Sequence, residues 1–194
     1  KIFIDGNKNT VKAGSGADLI ALGLNSQGNI IDAGGGEDHV ILEGNNDNTQ
    51  IDLGSENDII EIRGTDKERI NNNLRLLGGM GDDSIFGTGI GKESLVDGGE
   101  GSDTIKLNVV NQSTVLGGSG RDLIEADSTN HSFIDAGTED DSISLFSGGN
   151  NLVKGGEGND RISILATDHP SGNNTLDGGS GDDRISIAGS NAFN

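Results

Sequence analysis

The stretch that decides the fold is GGEGNDRIS, Gly155–Ser163. Three glycines and an acidic pair of positions lie between two short alternating runs, Asn151–Lys154 and Arg161–Ile164. Glycine loses the most entropy on ordering and weakens a strand. Its placement where a core should form therefore needs a cause. The hexamer that opens this stretch is one of nine: AGSGAD (13–18), AGGGED (33–38), LGSEND (53–58), GGMGDD (78–83), GGEGSD (98–103), GGSGRD (117–122), AGTEDD (136–141), GGEGND (155–160) and GGSGDD (178–183). Their aspartates are Asp18, Asp38, Asp58, Asp83, Asp103, Asp122, Asp141, Asp160 and Asp183, spaced by 20, 20, 25, 20, 19, 19, 19 and 23 residues. A flexible glycine-rich linker has no reason to keep such a register.

Working outward from each aspartate, the residue two on is always β-branched: Ile20, Val40, Ile60, Ile85, Ile105, Ile124, Ile143, Ile162 and Ile185. Most residues four on are apolar, and those two before the hexamer, from Val11 to Leu176, all are. Alternation with β-branched residues predicts strands with one inward face. Each repeat thus reads as strand, six-residue turn, strand and second turn, and successive repeats stack as coils of a two-sheet parallel solenoid. Four residues before the hexamer stands a small polar residue in eight copies: Asn9, Asn29, Thr49, Ser94, Ser113, Ser132, Asn151 and Asn174, with Leu74 the exception. Its inward parity predicts a hydrogen-bonded Asn/Ser/Thr ladder at the second bend. Length varies only in that second turn, up to 63–73 and 165–173. One bend is therefore fixed and the other reads as a tolerant loop.

The 194-residue chain has 34 glycines, no cysteine, tryptophan or tyrosine, and a formal charge of −19. The charge disfavours DNA, RNA and anionic lipid, which need Lys/Arg patches, and favours cations. No segment is long and apolar enough to insert in a membrane. Without cysteine there are no disulfides or thiolate sites. Three scattered histidines, His39, His131 and His169, offer little to zinc.

About three apolar side chains per coil make a thin core. Stacking coils about 4.8 Å apart would also line up nine like charges. A hard divalent cation between successive turns answers both problems. Calcium takes six to eight oxygens from carboxylates and backbone carbonyls, and glycine permits the dihedrals that turn carbonyls inward. Nine turns enclose up to about eight such spaces, and eight Ca²⁺ would nearly neutralise the formal −19. Magnesium prefers smaller octahedral sites that keep waters.

GGEGNDRIS and GGSGDDRIS resemble the G-G-x-G-x-D-x-U-x repeat of RTX (repeats-in-toxin) hemolysin-type calcium-binding proteins. The resemblance implies an all-β, right-handed, two-sheet parallel β-roll of about nine coils, with calcium turns along one edge and the Asn/Ser/Thr ladder along the other. It implies the nine aspartates as metal ligands. Carbonyls of Gly14, Gly16, Gly34, Gly36, Gly79, Gly81, Gly99, Gly101, Gly118, Gly120, Gly156, Gly158, Gly179 and Gly181 would complete the sites. It also implies type I secretion of an unfolded chain that folds on calcium outside the bacterial cell or on its surface. Three departures stand out. Only one bend per coil matches the repeat. Glu56 and Glu139 replace the fourth-position glycine, so either those turns distort or the glutamate reaches the ion. Asp32, Asp52, Asp97, Asp135 and Asp177 precede their hexamers and read as solvated surface acids.

The expectation is a single domain over 1–194, a piece of a longer extracellular protein of adhesin or toxin type. Its part would be a calcium-binding structural or extender module whose partners are calcium ions and neighbouring domains. The alternative is a recognition surface for a glycan or protein, with the loops 63–73 (Arg63, Lys67, Arg69) and 165–173 (Pro170) as candidates. Ice binding is disfavoured, because the third hexamer position lacks a threonine row. An enzyme is not expected: the carboxylates repeat evenly, whereas a catalytic site is a unique constellation.

Overall fold

The computed structural model describes residues 1–64, 71–166 and 173–189. Two parallel sheets run the length of the molecule. One contains the strands that lead into the hexamers: Thr10–Ser15, Ile30–Gly35, Gln50–Ser55, Arg75–Met80, Leu95–Glu100, Thr114–Ser119, Phe133–Thr138, Leu152–Glu157 and Thr175–Ser180, stacked in chain order. The other stacks the strands that leave them: Ile2–Ile4, Leu19–Leu22, His39–Glu43, Ile59–Arg63, Ser84–Gly87, Thr104–Asn111, Leu123–Asn130, Ser142–Leu145, Arg161–Ala166 and Arg184–Gly189. The short Gly148–Gly149 strand pairs beside Leu123–Asn130. The protein is an all-β, parallel two-sheet solenoid of about nine turns.

Register follows the repeat position for position. Val96 pairs with Leu76 on one side and Val115 on the other, and Ile105 with Ile85 and Ile124. Each inward residue therefore stacks on its counterpart one coil away, which is why the β-branched column tolerates so little variation. The columns Ile20–Val40–Ile60–Ile85–Ile105–Ile124–Ile143–Ile162 and Ile31–Ile51–Leu76–Val96–Val115–Ile134–Val153 are buried throughout. The five acids before the hexamers face outward from the first sheet, and Asp32 pairs with Lys12 at 3.0 Å.

The polar rungs form the expected ladder. Most accept a hydrogen bond from the backbone N–H of the rung one coil earlier, as from Asn9 to Asn29 Oδ1 (2.8 Å), Leu74 to Ser94 Oγ (3.1 Å), Ser132 to Asn151 Oδ1 (3.0 Å) and Asn151 to Asn174 Oδ1 (3.0 Å), while the Ser113 hydroxyl donates to Asn111 O (2.9 Å). Leu74 is buried in the core and supplies no such oxygen to Thr49.

The second bend is more ordered than a tolerant loop. The residue before the rung adopts positive φ in coil after coil: Lys8 (59°), Asn48 (59°), Asn73 (51°), Glu93 (60°), Gln112 (51°), His131 (52°) and Asn150 (58°). A further inward position lies three residues before the rung, where Ser26, Asn46, Asn71, Val110 and Thr129 are buried. The loop can therefore change length only upstream of this fixed exit. Of the two long loops, 65–70 and 167–172, which include Lys67, Arg69, His169 and Pro170, lie outside the described residues.

Candidate metal centre

The fixed bend is built by two columns of residues with positive φ. The second hexamer residue is glycine in every copy, with φ from +98° at Gly179 to +120° at Gly118. A Cβ there would strike the carbonyl of the same residue one coil earlier, as at Gly79 against Gly54 O. Coils approach closely enough at this column to exclude any side chain. The fourth residue also takes positive φ throughout, including Glu56 (75°) and Glu139 (82°). The two glutamates thus accept strained backbone and leave the turn intact. Glu56 does not turn into the bend; its Oε2 accepts from Gly36 N (2.7 Å) and Ser55 Oγ (2.9 Å) on the surface. Gly54 and Gly137, in the two glutamate-bearing hexamers, share the geometry of the other second-position glycines.

All nine aspartates fall in one column. The backbone N–H of each donates to Oδ1 of the next: Asp18 to Asp38 (2.7 Å), Asp38 to Asp58 (2.6 Å), Asp58 to Asp83 (2.8 Å), Asp83 to Asp103 (2.8 Å), Asp103 to Asp122 (2.8 Å), Asp122 to Asp141 (2.7 Å), Asp141 to Asp160 (2.9 Å) and Asp160 to Asp183 (3.0 Å). The series is unbroken at Asp58 and Asp141, so the irregular hexamers stay in register.

The other carboxylate oxygen is treated differently. Oδ2 of Asp38, Asp58, Asp83, Asp103, Asp122, Asp141 and Asp160 is buried without a hydrogen-bond partner. Unpaired buried charge is among the costliest arrangements in a protein. Burial, helped by neighbouring carboxylates, outweighs the one backbone bond each carboxylate accepts. It pushes Asp83, Asp122 and Asp141 up to about 7 and Asp58 and Asp103 up to about 6. Asp38 and Asp160 move in the same direction for the same first cause.

These oxygens point at something specific. Where the first hexamer residue is glycine, a Cβ on it would collide both with Oδ2 of its own aspartate and with the first-position carbonyl of the next coil. This holds at Gly78 (Asp83 and Gly98), Gly98 (Asp103 and Gly117), Gly117 (Asp122 and Ala136) and Gly155 (Asp160 and Gly178). A carboxylate oxygen and a carbonyl oxygen from adjacent coils thus converge beside the Cα of each of these glycines. Oxygen-only donors, mixed between carboxylate and carbonyl, suit a hard cation such as calcium. Among the described residues, no three acidic or histidine side chains gather around one point. Any ion here would draw the rest of its shell from backbone carbonyls and water.

The class this fold and site define is a stacked repeat solenoid with a buried, half-satisfied acid column. A family model of the RTX calcium-binding nonapeptide repeat, in four copies, matches residues 147–163 and 171–186. These two stretches match the RTX hemolysin-type calcium-binding nonapeptide repeat, and they sit in a solenoid of about nine turns with coils of about 20 residues. Repeats of this family bind Ca²⁺ and are typical of secreted bacterial proteins, and the β-roll they form is typically a non-catalytic structural module. No curated protein matches the chain. Among the described residues, no helix is long and apolar enough to cross a membrane.

Proposed function

We propose that this chain is a calcium-assembled structural module of a larger secreted or surface-exposed bacterial protein, adhesin or toxin in type, in which it extends and stiffens the link between neighbouring domains. The observation that carries this reading is the row of seven buried aspartate oxygens without partners. Each aspartate offers one oxygen to the backbone ladder and holds the other for a cation. The nine aspartates, with carbonyls from the positive-φ glycine columns, are the ligands on this reading. Calcium then supplies positive charge between coils that otherwise repel one another, and ion binding and folding become one reaction. Such coupling suits export: a chain that stays unfolded where calcium is scarce acquires its shape where calcium is abundant.

The test is circular dichroism of the 194-residue chain during calcium titration, with magnesium as control. The expected result is β-structure that appears cooperatively with calcium and is lost in excess chelator. Full β-structure in chelator, with no calcium taken up, would overturn the reading.

A further inference from the structure

The outer face of the first sheet carries a file of its own, one residue before each hexamer. Toward the C-terminal end it reads Leu77, Asp97, Leu116, Asp135, Lys154 and Asp177, each paired directly with the next. Beside it the second-position glycines Gly118, Gly137, Gly156 and Gly179 present bare backbone. From Asp97 to Asp177 the file and these glycines line a groove of about 480 Å³ that crosses the strands and follows the solenoid axis.

Two acids of this groove depart from the solvated surface acids that their position suggests. Asp97 and Asp135 are half-buried, and burial raises the pKa of each. Arg75 and Lys154 act on them only through space, and among the described residues neither carboxylate has a hydrogen bond or an ion pair. Lys154 turns to Phe133 instead, with Nζ 5.9 Å from the ring centroid. Asp32 differs: it lies three coils before Asp97 in the same file and is paired with Lys12 at 3.0 Å. Leu116 stands between Asp97 and Asp135. The groove thus joins an apolar floor to carboxylates that lack a counter-ion.

Spacing selects the occupant. The acids recur at every second coil, about 9.6 Å apart at the usual distance between paired strands. A polyproline II helix has about three residues per turn and rises about 3.1 Å per residue, so side chains three apart share one face at about 9.3 Å. We propose that this groove docks a basic segment in the polyproline II conformation, with an arginine at every third residue opposite Asp97, Asp135 and Asp177 and prolines against Leu116 and the glycine backbone. An extended β-strand does not match, because its same-face side chains repeat at about 6.7 Å. Arginine suits half-buried carboxylates: its guanidinium is weakly hydrated and pairs with both oxygens at once. Proline suits the floor, where the strand backbone is already paired within the sheet and offers no partner to an N–H. Lys154 lies between Asp135 and Asp177 and opposes the docked charge, which limits the affinity.

The test is fluorescence anisotropy of labelled peptides titrated with the 194-residue chain in saturating calcium. The probe is three copies of Arg-Pro-Pro. It is expected to bind about tenfold more tightly than proline peptides of equal charge with arginine at every second or every fourth residue. Asp97→Asn together with Asp135→Asn should abolish that preference. Asp32→Asn together with Asp52→Asn removes as much charge outside this groove and should leave the preference in place. Lys154→Ala should tighten binding. Equal affinity for all spacings would reduce the effect to general attraction by an acidic chain and overturn the proposal, as would a preference that survives loss of both groove acids. The spacing series needs no substitution, so it decides the matter even if a variant does not fold.

Discussion

The two bends of each coil use the same hydrogen bond and differ in what is left over. At the second bend a side-chain oxygen of Asn, Ser or Thr accepts the backbone N–H of the coil before. Asn151 then spends its amide donor on Thr129 O (3.1 Å) and Thr129 Oγ1 (3.0 Å), and Asn29 spends its own on Ser26 O (2.8 Å). Every polar atom of such a rung can find a partner. At the glycine bend the aspartate makes the identical first bond, but its second atom is another acceptor facing a carbonyl. Two acceptors cannot satisfy each other. The neutral bend closes by itself, and the acidic bend closes only around a cation.

The largest effect that follows is removal of calcium. Chelation should unfold the acidic bends and, because coils are coupled to their neighbours, the solenoid with them. The measurement is loss of the β-sheet dichroism signal and of hydrogen-exchange protection in both sheets. Survival of the polar bend's protection in chelator would show that the two bends fold independently and would break the comparison.

Exchanging rungs between the bends should produce the next largest effects. Asn151→Asp places a second acceptor where donors are needed, and should cost about 2–4 kcal/mol in urea unfolding with calcium present. Asp103→Asn does the reverse. It should stabilise the metal-free chain by about 1–3 kcal/mol, since its amide can donate to the facing carbonyl, while lowering the calcium dependence of the midpoint.

Acidity offers a third handle. Aspartates whose folded pKa lies near 6 to 7, against an ordinary 3.8, bind more protons folded than unfolded within that window. Stability of the metal-free chain should therefore rise as pH falls from about 7 toward 4 and be lost as pH climbs through the folded values. In saturating calcium the trend should invert, because protons displace the ion. The β-sheet dichroism recovered between pH 8 and 4 without calcium, set against urea midpoints over the same range with calcium, would show whether the trends differ in sign.

The smallest predicted effect concerns the irregular turns. Glu139→Gly relieves positive φ at 82° and loses no hydrogen bond found among the described residues, so it should stabilise by about 1 kcal/mol. Glu56→Gly relieves similar strain but gives up the bond to Gly36 N, and should be close to neutral. Equal gains at the two sites would show that the Glu56 bond contributes nothing.

Much of this was legible from residue order. The aspartate column, the β-branched columns and the polar rungs could be read because each occupies one position in every coil, and parallel stacking turns sequence period directly into spatial column. Ile105 lies between Ile85 and Ile124 for that reason alone. The loop exit was harder to see. Lys8, Glu93, Gln112 and His131 share positive φ without sharing chemistry, because an inter-coil backbone arrangement imposes it against their preference. The buried Ser26, Asn46 and Thr129 were hidden by variable loop length upstream.

By itself, then, the order of residues determined the solenoid, its two sheets and the single file of acids, since a repeat that pairs with itself has only one register that buries its β-branched face. Tertiary structure alone decided what each acid does with its two oxygens. Which oxygen meets a backbone N–H and which is buried without a partner, as on Asp103 and Asp141 alike, depends on how neighbouring coils seat against one another. That seating is a matter of ångströms between strands, and no single coil contains it.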